Sequence, residues 1–223
     1  MRIEISTTEF ASAERVPIEV VHRQAENITD SKCTIQVLNS VLNYVFILNP
    51  QRQVVFASRN WKQLLPGKTP QDLLGWRPGE ALGCIHAAEH AGGCGTSSFC
   101  EECGAVKAIL ASLSGQQSVN ECHMTRIVDS REQAIDLLVY GSPFPVNGQT
   151  YSLLTVVDIS HENRRRALER IFFHDVLNSA GGLESLAGML NESAPKALQE
   201  DLAILQAGLH DLHDQVQTQK DLA

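Results

Sequence analysis

The sequence has no long apolar run and few aromatic side chains. Only 5% of its 223 residues are aromatic. The longest apolar runs, residues 44–48 and 137–140, are far shorter than the ~20 residues that span a bilayer. The opening Met1-Arg-Ile-Glu-Ile also lacks the basic and apolar regions of a secretory signal. We therefore expect a cytoplasmic protein that does not enter a membrane.

Basic residues are also scarce. Asp and Glu number 26 against 18 Lys and Arg, which gives a net charge of -8. Phosphate backbones are bound by basic faces, and the one basic run, residues 164–166, is typical of a solvated helix face. The composition argues against nucleic acid as a partner.

Cysteine is used sparingly except in one stretch, where four of the six cysteines fall within residues 84–103. Disulfides are disfavoured in a reducing cytoplasm, so this clustering indicates metal ligands or redox groups. Four thiolates match the ligand set of a tetrahedral zinc or an iron–sulfur cluster. The spacing fits neither a zinc ribbon nor a ferredoxin, and it leaves a cluster, structural zinc, a thiol–disulfide switch or no cofactor open. The candidate ligands are Cys84, Cys94, Cys100 and Cys103.

The remaining cysteines and the nearby histidines give alternatives to this ligand set. Cys122 lies on a predicted strand and could replace Cys84 as the fourth ligand if the chain folds back. Cys33 is interpreted as a small core residue, as is usual for a lone free cysteine. Three histidines are close enough in sequence to be alternative ligands, although each alone is typical of a surface position: His86, His90 and His123.

The chain divides into three parts by pattern. Residues 1–31 are polar, with a helix predicted over 12–27. Residues 32–160 alternate between strand and helix signals and predict an α+β domain with a cysteine-rich middle. Its strands are predicted at 44–48, 54–57, 118–128, 134–144 and 151–159, with a helix over 104–113.

Residues 161–223 have a purely helical pattern. Apolar side chains form one stripe on a first helix, and leucines then recur at steps of four and three from Leu198 to Val216. Two such helices joined by a short loop form a hairpin whose apolar seam is too narrow to be buried alone. We expect this hairpin to form a homodimeric four-helix bundle.

His174 lies on the first of these helices, about 160° from the centre of the apolar stripe at 100° per residue. Asn178 is one turn further along and shares its face, and Asp175 is adjacent. An exposed imidazole can attack the γ-phosphate of ATP, a neighbouring carboxylate can take or orient its proton, and an amide can position water. On the helix pattern alone, a merely solvated histidine is the more usual interpretation.

Residues 166–178, Arg-Ala-Leu-Glu-Arg-Ile-Phe-Phe-His-Asp-Val-Leu-Asn, resemble the H-box of sensor histidine kinases. The resemblance implies that His174 is the phosphoacceptor, that Asp175 assists phosphotransfer, and that Asn178 orients the water that dephosphorylates a response regulator. The ATP-binding domain of that family is missing from this sequence, so ATP would act through a domain outside it. We expect that the sequence is a piece of a longer kinase or is phosphorylated by another.

The order of elements in residues 32–160 is similar to that of PAS domains, and Asp158-Ile-Ser160 is similar to the signature that ends them. The cysteines occupy the region where PAS domains hold a cofactor, and they resemble those of PAS sensors that carry an iron–sulfur cluster. These resemblances imply a cytoplasmic redox or oxygen sensor that relays phosphate from His174 to a response regulator. The alternative is a non-enzymatic PAS module with structural zinc and a coiled-coil dimerisation tail.

Overall fold

The computed structural model describes residues 8–29, 32–65, 67–128 and 130–222. The chain divides into two compact units, residues 1–160 and 161–223. Of the predicted N-terminal segment 1–31, residues 1–7, 30 and 31 lie outside the described residues. Within the described ranges, no helix combines the length and the apolar character needed to cross a bilayer.

The first unit is built on a five-stranded antiparallel sheet in the order β2-β1-β5-β4-β3. Its strands are β1 (Tyr44–Leu48), β2 (Val54–Ala57), β3 (Ser118–Val128), β4 (Arg131–Val146) and β5 (Gln149–Asp158). The first two and last three strands flank a stretch of helices and loops. The predicted α+β fold, a PAS-like five-stranded sheet with helices followed by two helices, is confirmed.

Turn chemistry fixes two of the hairpins of the sheet, β1–β2 and β4–β5. Between β1 and β2, the Asn49 side chain accepts backbone N–H groups of Gln51 and Gln53 at 3.1 and 2.9 Å, and Arg52 takes a positive φ of 65°. Between β4 and β5, Asn147 and Gly148 have φ values of 50° and 80°. Two consecutive positive φ values suit the right-handed twist of a tight hairpin. The last two strands therefore run further than the pattern predicted.

Helices cover both faces of the sheet. On one face, α1 (Ile18–Thr29) and α2 (Lys32–Ser40) cover a cluster that includes Ile47 and Val55. The other face carries the main core, covered by α3 (Trp61–Leu64), α4 (Pro78–Leu82) and α5 (Gly104–Leu113), with short 3-10 turns at Pro70–Leu73, Ile85–Ala88 and Ser98–Glu101. Strands β1 and β2 are consequently buried along almost their whole length.

Residues 8–17 form an extended segment, which we call the N-terminal strap. The helix predicted over 12–27 begins only at Ile18, directly after Pro17. Strap backbone N–H groups of Glu9 and Ala11 donate to the carbonyls of Thr96 and Gly95, each at 3.0 Å. The strap thus lies against the cysteine-rich loop instead of lengthening α1.

The second unit consists of two long helices, α6 (Ser160–Ser193) and α7 (Lys196–Leu222). They meet through contacts such as that between His210 Nδ1 and Glu184 Oε1 at 3.2 Å. Small side chains on α6, Ala180 and Ala187, are buried to 3% exposure. The larger members of the predicted apolar stripes remain exposed in the single chain, among them Leu168, Phe172, Leu183, Leu198, Leu205 and Leu212.

Candidate metal–thiolate site and phosphoacceptor histidine

Five cysteines line one cavity of about 260 Å³ in the first unit. All four predicted ligands are present, together with the predicted alternative: Cys84, Cys94, Cys100, Cys103 and Cys122. The cavity is otherwise mainly apolar, with Leu82, Val106, Ile109 and Leu137 in its wall. The first four lie within residues 84–103, and Cys122 on β3 reaches the same cavity from the other side of α5.

The sixth cysteine is placed differently. Cys33 lies on α2 and is exposed to solvent. Its interpretation as a core residue is therefore wrong, because α2 uses Ile35 and Leu38 rather than Cys33 to pack on the sheet. This separates one solvent-exposed thiol from five that share an interior cavity.

Close backbone packing brings Cys103 and Cys122 together. Cys103 immediately precedes α5, and its Sγ lies 3.7 Å from that of Cys122 on β3. Gly104 permits this approach, since a Cβ there would lie 2.0 Å from the carbonyl oxygen of Glu121. No other residue would allow α5 to begin so near β3.

Electrostatics differ among these thiols. Hydrogen bonding from Cys122 and from backbone N–H groups at the start of α5 lowers the pKa of Cys103, against the opposing effect of burial. The same sulfur pair and burial raise the pKa of Cys122. Burial raises the pKa of Cys94 to about 12 and also raises that of Cys84. Cys103 is therefore the member of the set most readily ionised.

A single metal ion is not preorganised at this site. Zinc–sulfur bonds of about 2.3 Å place tetrahedral thiolates about 3.8 Å apart, which matches the Cys103–Cys122 pair. Within the described ranges, however, no three His, Cys, Asp or Glu side chains are gathered closely enough to hold one ion. The five thiols instead line a cavity of about 260 Å³.

Glycine packing and buried arginines support the cysteine loop from behind. A Cβ at Gly79 would lie 2.7 Å from the Cys94 sulfur, so any other residue at this position would displace that sulfur. Arg77 donates from Nη1 to the carbonyls of Gly92 and Cys94 at 2.8 and 3.2 Å. Glu80 accepts the backbone N–H groups of Arg77 and Cys94 at 2.9 and 3.1 Å. The loop is therefore fixed by α4 and by the residue that precedes it.

Two of the three histidines proposed as alternative ligands border the cavity. His86 stacks on Phe99 with ring centroids 4.3 Å apart, and His123 lies beside Cys122 on β3. His90 instead pairs with Glu9 of the N-terminal strap at 3.2 Å. His86 and His123 are thus placed to shape access to the thiols.

A chain of hydrogen bonds leads from the cavity to the end of the first unit. His123 Nδ1 lies 2.8 Å from Asp136 Oδ1, and the backbone N–H of Asp136 donates to the Ser160 hydroxyl at 2.9 Å. The N–H of Ile159 donates to the Asp136 carbonyl at 2.9 Å, and that of Ser160 to Asp158 Oδ1 at 2.9 Å. Ser160 is also the first residue of α6.

In the second unit, the three predicted phosphotransfer residues are neighbours on the surface of α6. His174 is 71% exposed and Asp175 70%. His174 Nδ1 lies 3.1 Å from Asp175 Oδ1, and the Asn178 amide nitrogen lies 3.1 Å from His174 Nε2. The arrangement places a carboxylate beside Nδ1 and an amide beside Nε2 of an exposed imidazole.

Sequence reasoning missed Asp136, Arg52 and Arg77 as parts of these sites. The register of β3 and β4, which pairs His123 with Asp136, could have indicated the first. No pattern in the sequence distinguishes the two arginines from surface cations, because their burial depends on carbonyl groups contributed by distant segments.

Comparison with known proteins returns fold similarity. No protein-family model and no curated protein matches the chain. The PAS domain of nitrogen regulation protein NR(II) from Vibrio parahaemolyticus is 18% identical, over 56% of this chain and 97% of that one, with a TM-score of 0.39.

Two other solved structures are similar in the same way. A PAS domain from a two-component sensor histidine kinase is 10% identical over 58% of this chain and 96% of that one, with a TM-score of 0.39. The Rhodobacter sphaeroides LOV protein is 16% identical over 86% of this chain and 97% of that one, with a TM-score of 0.41. Identities this low carry no activity across, so function is argued from the site itself.

Proposed function

We propose that the first unit is a PAS-type sensor that holds a metal–thiolate group, an iron–sulfur cluster, in its cysteine cavity. The observation that carries this proposal is the convergence of five thiols from separate parts of the chain on one interior cavity. Thiolate-lined, sparsely polar surroundings suit soft metals and clusters. When bound, the cluster would supply a group whose charge and integrity respond to oxygen or redox state.

The size of the cavity favours an iron–sulfur cluster over a single zinc ion. The described side chains do not gather at one ion, while about 260 Å³ is available between them. Four of the five cysteines suffice as ligands, and Cys84 and Cys122 are the alternatives for the fourth place beside Cys94, Cys100 and Cys103. Structural zinc remains the second candidate because Cys103 and Cys122 already stand at a tetrahedral spacing.

Metal and sulfide analysis tests this part of the proposal. Protein purified without oxygen should contain iron and acid-labile sulfide, and both should be lost in Cys100→Ser and Cys103→Ser. Cys33→Ser, outside the cavity, is the matched control and should retain both. Colourless protein with zinc would establish the second candidate, and wild-type protein without metal under anaerobic conditions would overturn both.

The second unit would be the phosphoacceptor part of a cytoplasmic two-component histidine kinase. In the tautomer that donates from Nδ1 to Asp175, the Nε2 lone pair of His174 accepts from the Asn178 amide, and it would become the nucleophile when that amide turns away. A nitrogen–phosphorus bond forms as the bond to the bridging oxygen breaks, ADP leaves with the electron pair, and the Nδ1 proton moves to Asp175. The phosphoryl group would then pass to a response regulator.

Phosphotransfer is tested with a histidine kinase ATP-binding domain supplied in trans and labelled ATP. Label should appear on wild-type protein and not on His174→Gln. The control is His210→Gln, since His210 is an exposed histidine on α7 that also faces a carboxylate. Equal labelling of wild type and His174→Gln would contradict the assignment and favour a non-enzymatic PAS module with a dimerisation tail.

A homodimer would complete the second unit. Leucines of both helices, such as Leu183, Leu198 and Leu205, are about half exposed at 54%, 52% and 53%. A second copy would cover them and form a four-helix bundle. Changes at the cavity would reach this unit through the His123–Asp136–Ser160 hydrogen bonds, which end at the first residue of α6.

A further inference from the structure

Two guanidinium groups are buried behind the cysteine loop. Arg77 is 1% exposed and Arg52 5%. Burial of a charged group is costly unless it is paired with an opposite charge and fully hydrogen-bonded. Two neighbouring buried cations therefore need a negative charge close by to offset the cost of their burial.

Arg77 is hydrogen-bonded by neutral groups. Its guanidinium donates to five carbonyl oxygens, those of Ser12, Glu14, Gln51, Gly92 and Cys94, at 2.8 to 3.2 Å. These bonds satisfy its N–H groups and fix its position. They supply no negative charge.

Arg52 is less well satisfied. Its Nη2 donates to the carbonyl of Ser12 at 2.6 Å. Its Nε is buried and has no hydrogen-bond partner among the described residues. The guanidinium lies along Gly95, where a Cβ would be 3.3 Å from Cζ. Arg52 is thus pressed against the loop that carries Cys94 with hydrogen-bonding capacity unused.

The nearby carboxylate, Glu80, favours the charged forms of Arg52 and Arg77, but a single negative charge cannot balance three arginines. Glu80 forms its ion pair with Arg15. In the part of the chain that the structure describes, neither Arg52 nor Arg77 forms an ion pair with a carboxylate. Burial, and then repulsion by Arg52, lower the pKa of Arg77 to about 10.

The sulfurs are the nearby groups able to carry the missing negative charge. Burial lowers the pKa of Arg52, and the facing Cys94 and Cys100 oppose that shift. A metal held by four thiolates carries an excess of negative charge, whereas five neutral thiols carry none. Bound metal would therefore balance the buried positive charges.

We propose that Arg52 and Arg77 are the counter-charges of the anionic metal–thiolate group in the cysteine cavity, and that they set the affinity of the cavity for metal. This inference rests on the proposed metal–thiolate function of that cavity. Arg52 and Arg77 are not metal ligands themselves, but their positive charges would stabilise an anionic group in the cavity. Where the occupant is redox-active, the same charges favour its more negative, reduced form.

The test compares charge-keeping and charge-removing substitutions in the full chain. Apo protein is titrated anaerobically with Co²⁺ in competition with a chelator, and thiolate ligation is followed by its absorption. Arg52→Gln should bind Co²⁺ roughly 10- to 100-fold more weakly than wild type, the usual range for a lost outer-shell partner. Arg52→Lys should recover most of that loss. Both replacements meet the same positive φ, so they differ mainly in charge.

Arg23→Gln is the matched control, because Arg23 is an exposed arginine on α1, and it should bind as wild type does. Equal affinity of folded Arg52→Gln and Arg52→Lys would overturn the inference. Wild-type protein that neither binds Co²⁺ through thiolates nor takes up an iron–sulfur cluster on anaerobic reconstitution would instead overturn the proposed metal site. If Arg52→Gln does not fold, Arg77→Gln against Arg77→Lys makes the same comparison at the second guanidinium.

In the iron-loaded protein, a reduction potential gives an independent readout. Loss of positive charge should shift the midpoint potential to more negative values in Arg52→Gln and leave it near the wild-type value in Arg52→Lys. Identical potentials in wild type and Arg52→Gln would count against the proposal even if both retain the cluster.

Discussion

The two units of this protein bury their apolar side chains very differently. In the first unit, side chains such as Phe46, Trp61 and Leu154 are at most 1% exposed. In the second, the fully enclosed apolar positions are alanines, while leucines such as Leu205 and Leu212 are 53% and 46% exposed. The first unit therefore has a core of its own, and the second has the surface of half a core.

This difference indicates where each unit derives its stability. An enclosed aromatic side chain is stabilised by dense packing within one chain. An exposed leucine contributes fully only when another surface covers it. The stability of the first unit, which we propose to be the sensor unit, should accordingly be insensitive to protein concentration, and that of the helical unit should depend on it.

The largest effect is expected at Trp61. Its ring stacks on Phe46 with centroids 3.8 Å apart, and its Nε1 donates to the carbonyl of Val45 at 2.9 Å. Trp61→Ala should lower the free energy of unfolding of the sensor unit by about 3–5 kcal/mol, measured by urea denaturation. Trp61→Phe keeps the ring and should cost clearly less. A small loss in Trp61→Ala would contradict the enclosed core described here.

Glycine-to-alanine changes should have opposite signs in the two units. A Cβ at Gly104 meets the Glu121 carbonyl, so Gly104→Ala should destabilise the sensor unit by about 3 kcal/mol. No atom lies within 4 Å of a Cβ at Gly181 on α6, so Gly181→Ala should raise helix stability by about 0.5–1 kcal/mol. Thermal unfolding followed by circular dichroism measures both stability changes. Stability changes of the same sign in Gly104→Ala and Gly181→Ala would contradict the difference between the two units.

Leucine substitutions should separate association from folding. Leu205→Ala combined with Leu212→Ala should weaken dimerisation, since each covered leucine contributes about 1.5–3 kcal/mol. Sedimentation at several concentrations should then show more monomer than in wild type, while urea denaturation of the sensor unit stays unchanged. The exposed polar pair Gln199→Ala and Gln215→Ala provides the control. An unchanged monomer fraction would mean that these leucines are not the dimer surface.

The smallest effect is a pH dependence at the N-terminal strap. Hydrogen bonds from Ser98, first its backbone N–H, and the nearby His90 lower the pKa of Glu9 below 4.5. A carboxyl with a lowered folded-state pKa stabilises the fold above its unfolded pKa, and this is lost as pH falls through the folded value. Glu9→Gln should therefore be slightly less stable than wild type at pH 7, and the difference should vanish in acid. A difference that is as large in acid as at pH 7 would contradict the Ser98 contact.

Local sequence signals predicted most of the fold. The bounds of α5 and of β1, β2 and β3 agree with the pattern because each element has its own turn or capping residues at both ends. The start of the N-terminal helix was predicted too early. The polar stretch before Pro17 forms backbone hydrogen bonds with the cysteine loop instead of hydrogen bonds within a helix. Such a choice depends on a partner some 80 residues away.

The sequence indicated the cysteines of the candidate site, but it did not indicate the buried arginines beside them. Cysteine clustering pointed to four of the five cavity thiols, but the fifth, Cys122, joins them through the approach of α5 to β3 that Gly104 permits. The roles of Arg52 and Arg77 depend on their burial, which arises only when the strap and the loop meet. Charged residues are mostly exposed in folded proteins, so the sequence alone predicts that both arginines lie on the surface.

The N-terminal strap bears on where this sensor can be divided. A fragment cut at β1, or at Ile18 where the first helix begins, would retain the complete sheet and every cavity cysteine. It would nevertheless lose the Ser12 and Glu14 carbonyls that receive Arg77, and the Ser12 carbonyl that receives Arg52. The cysteine site therefore depends on strap residues as well as on the sheet-and-helix domain around it, so a fragment that is meant to keep the site should include residues 9–17.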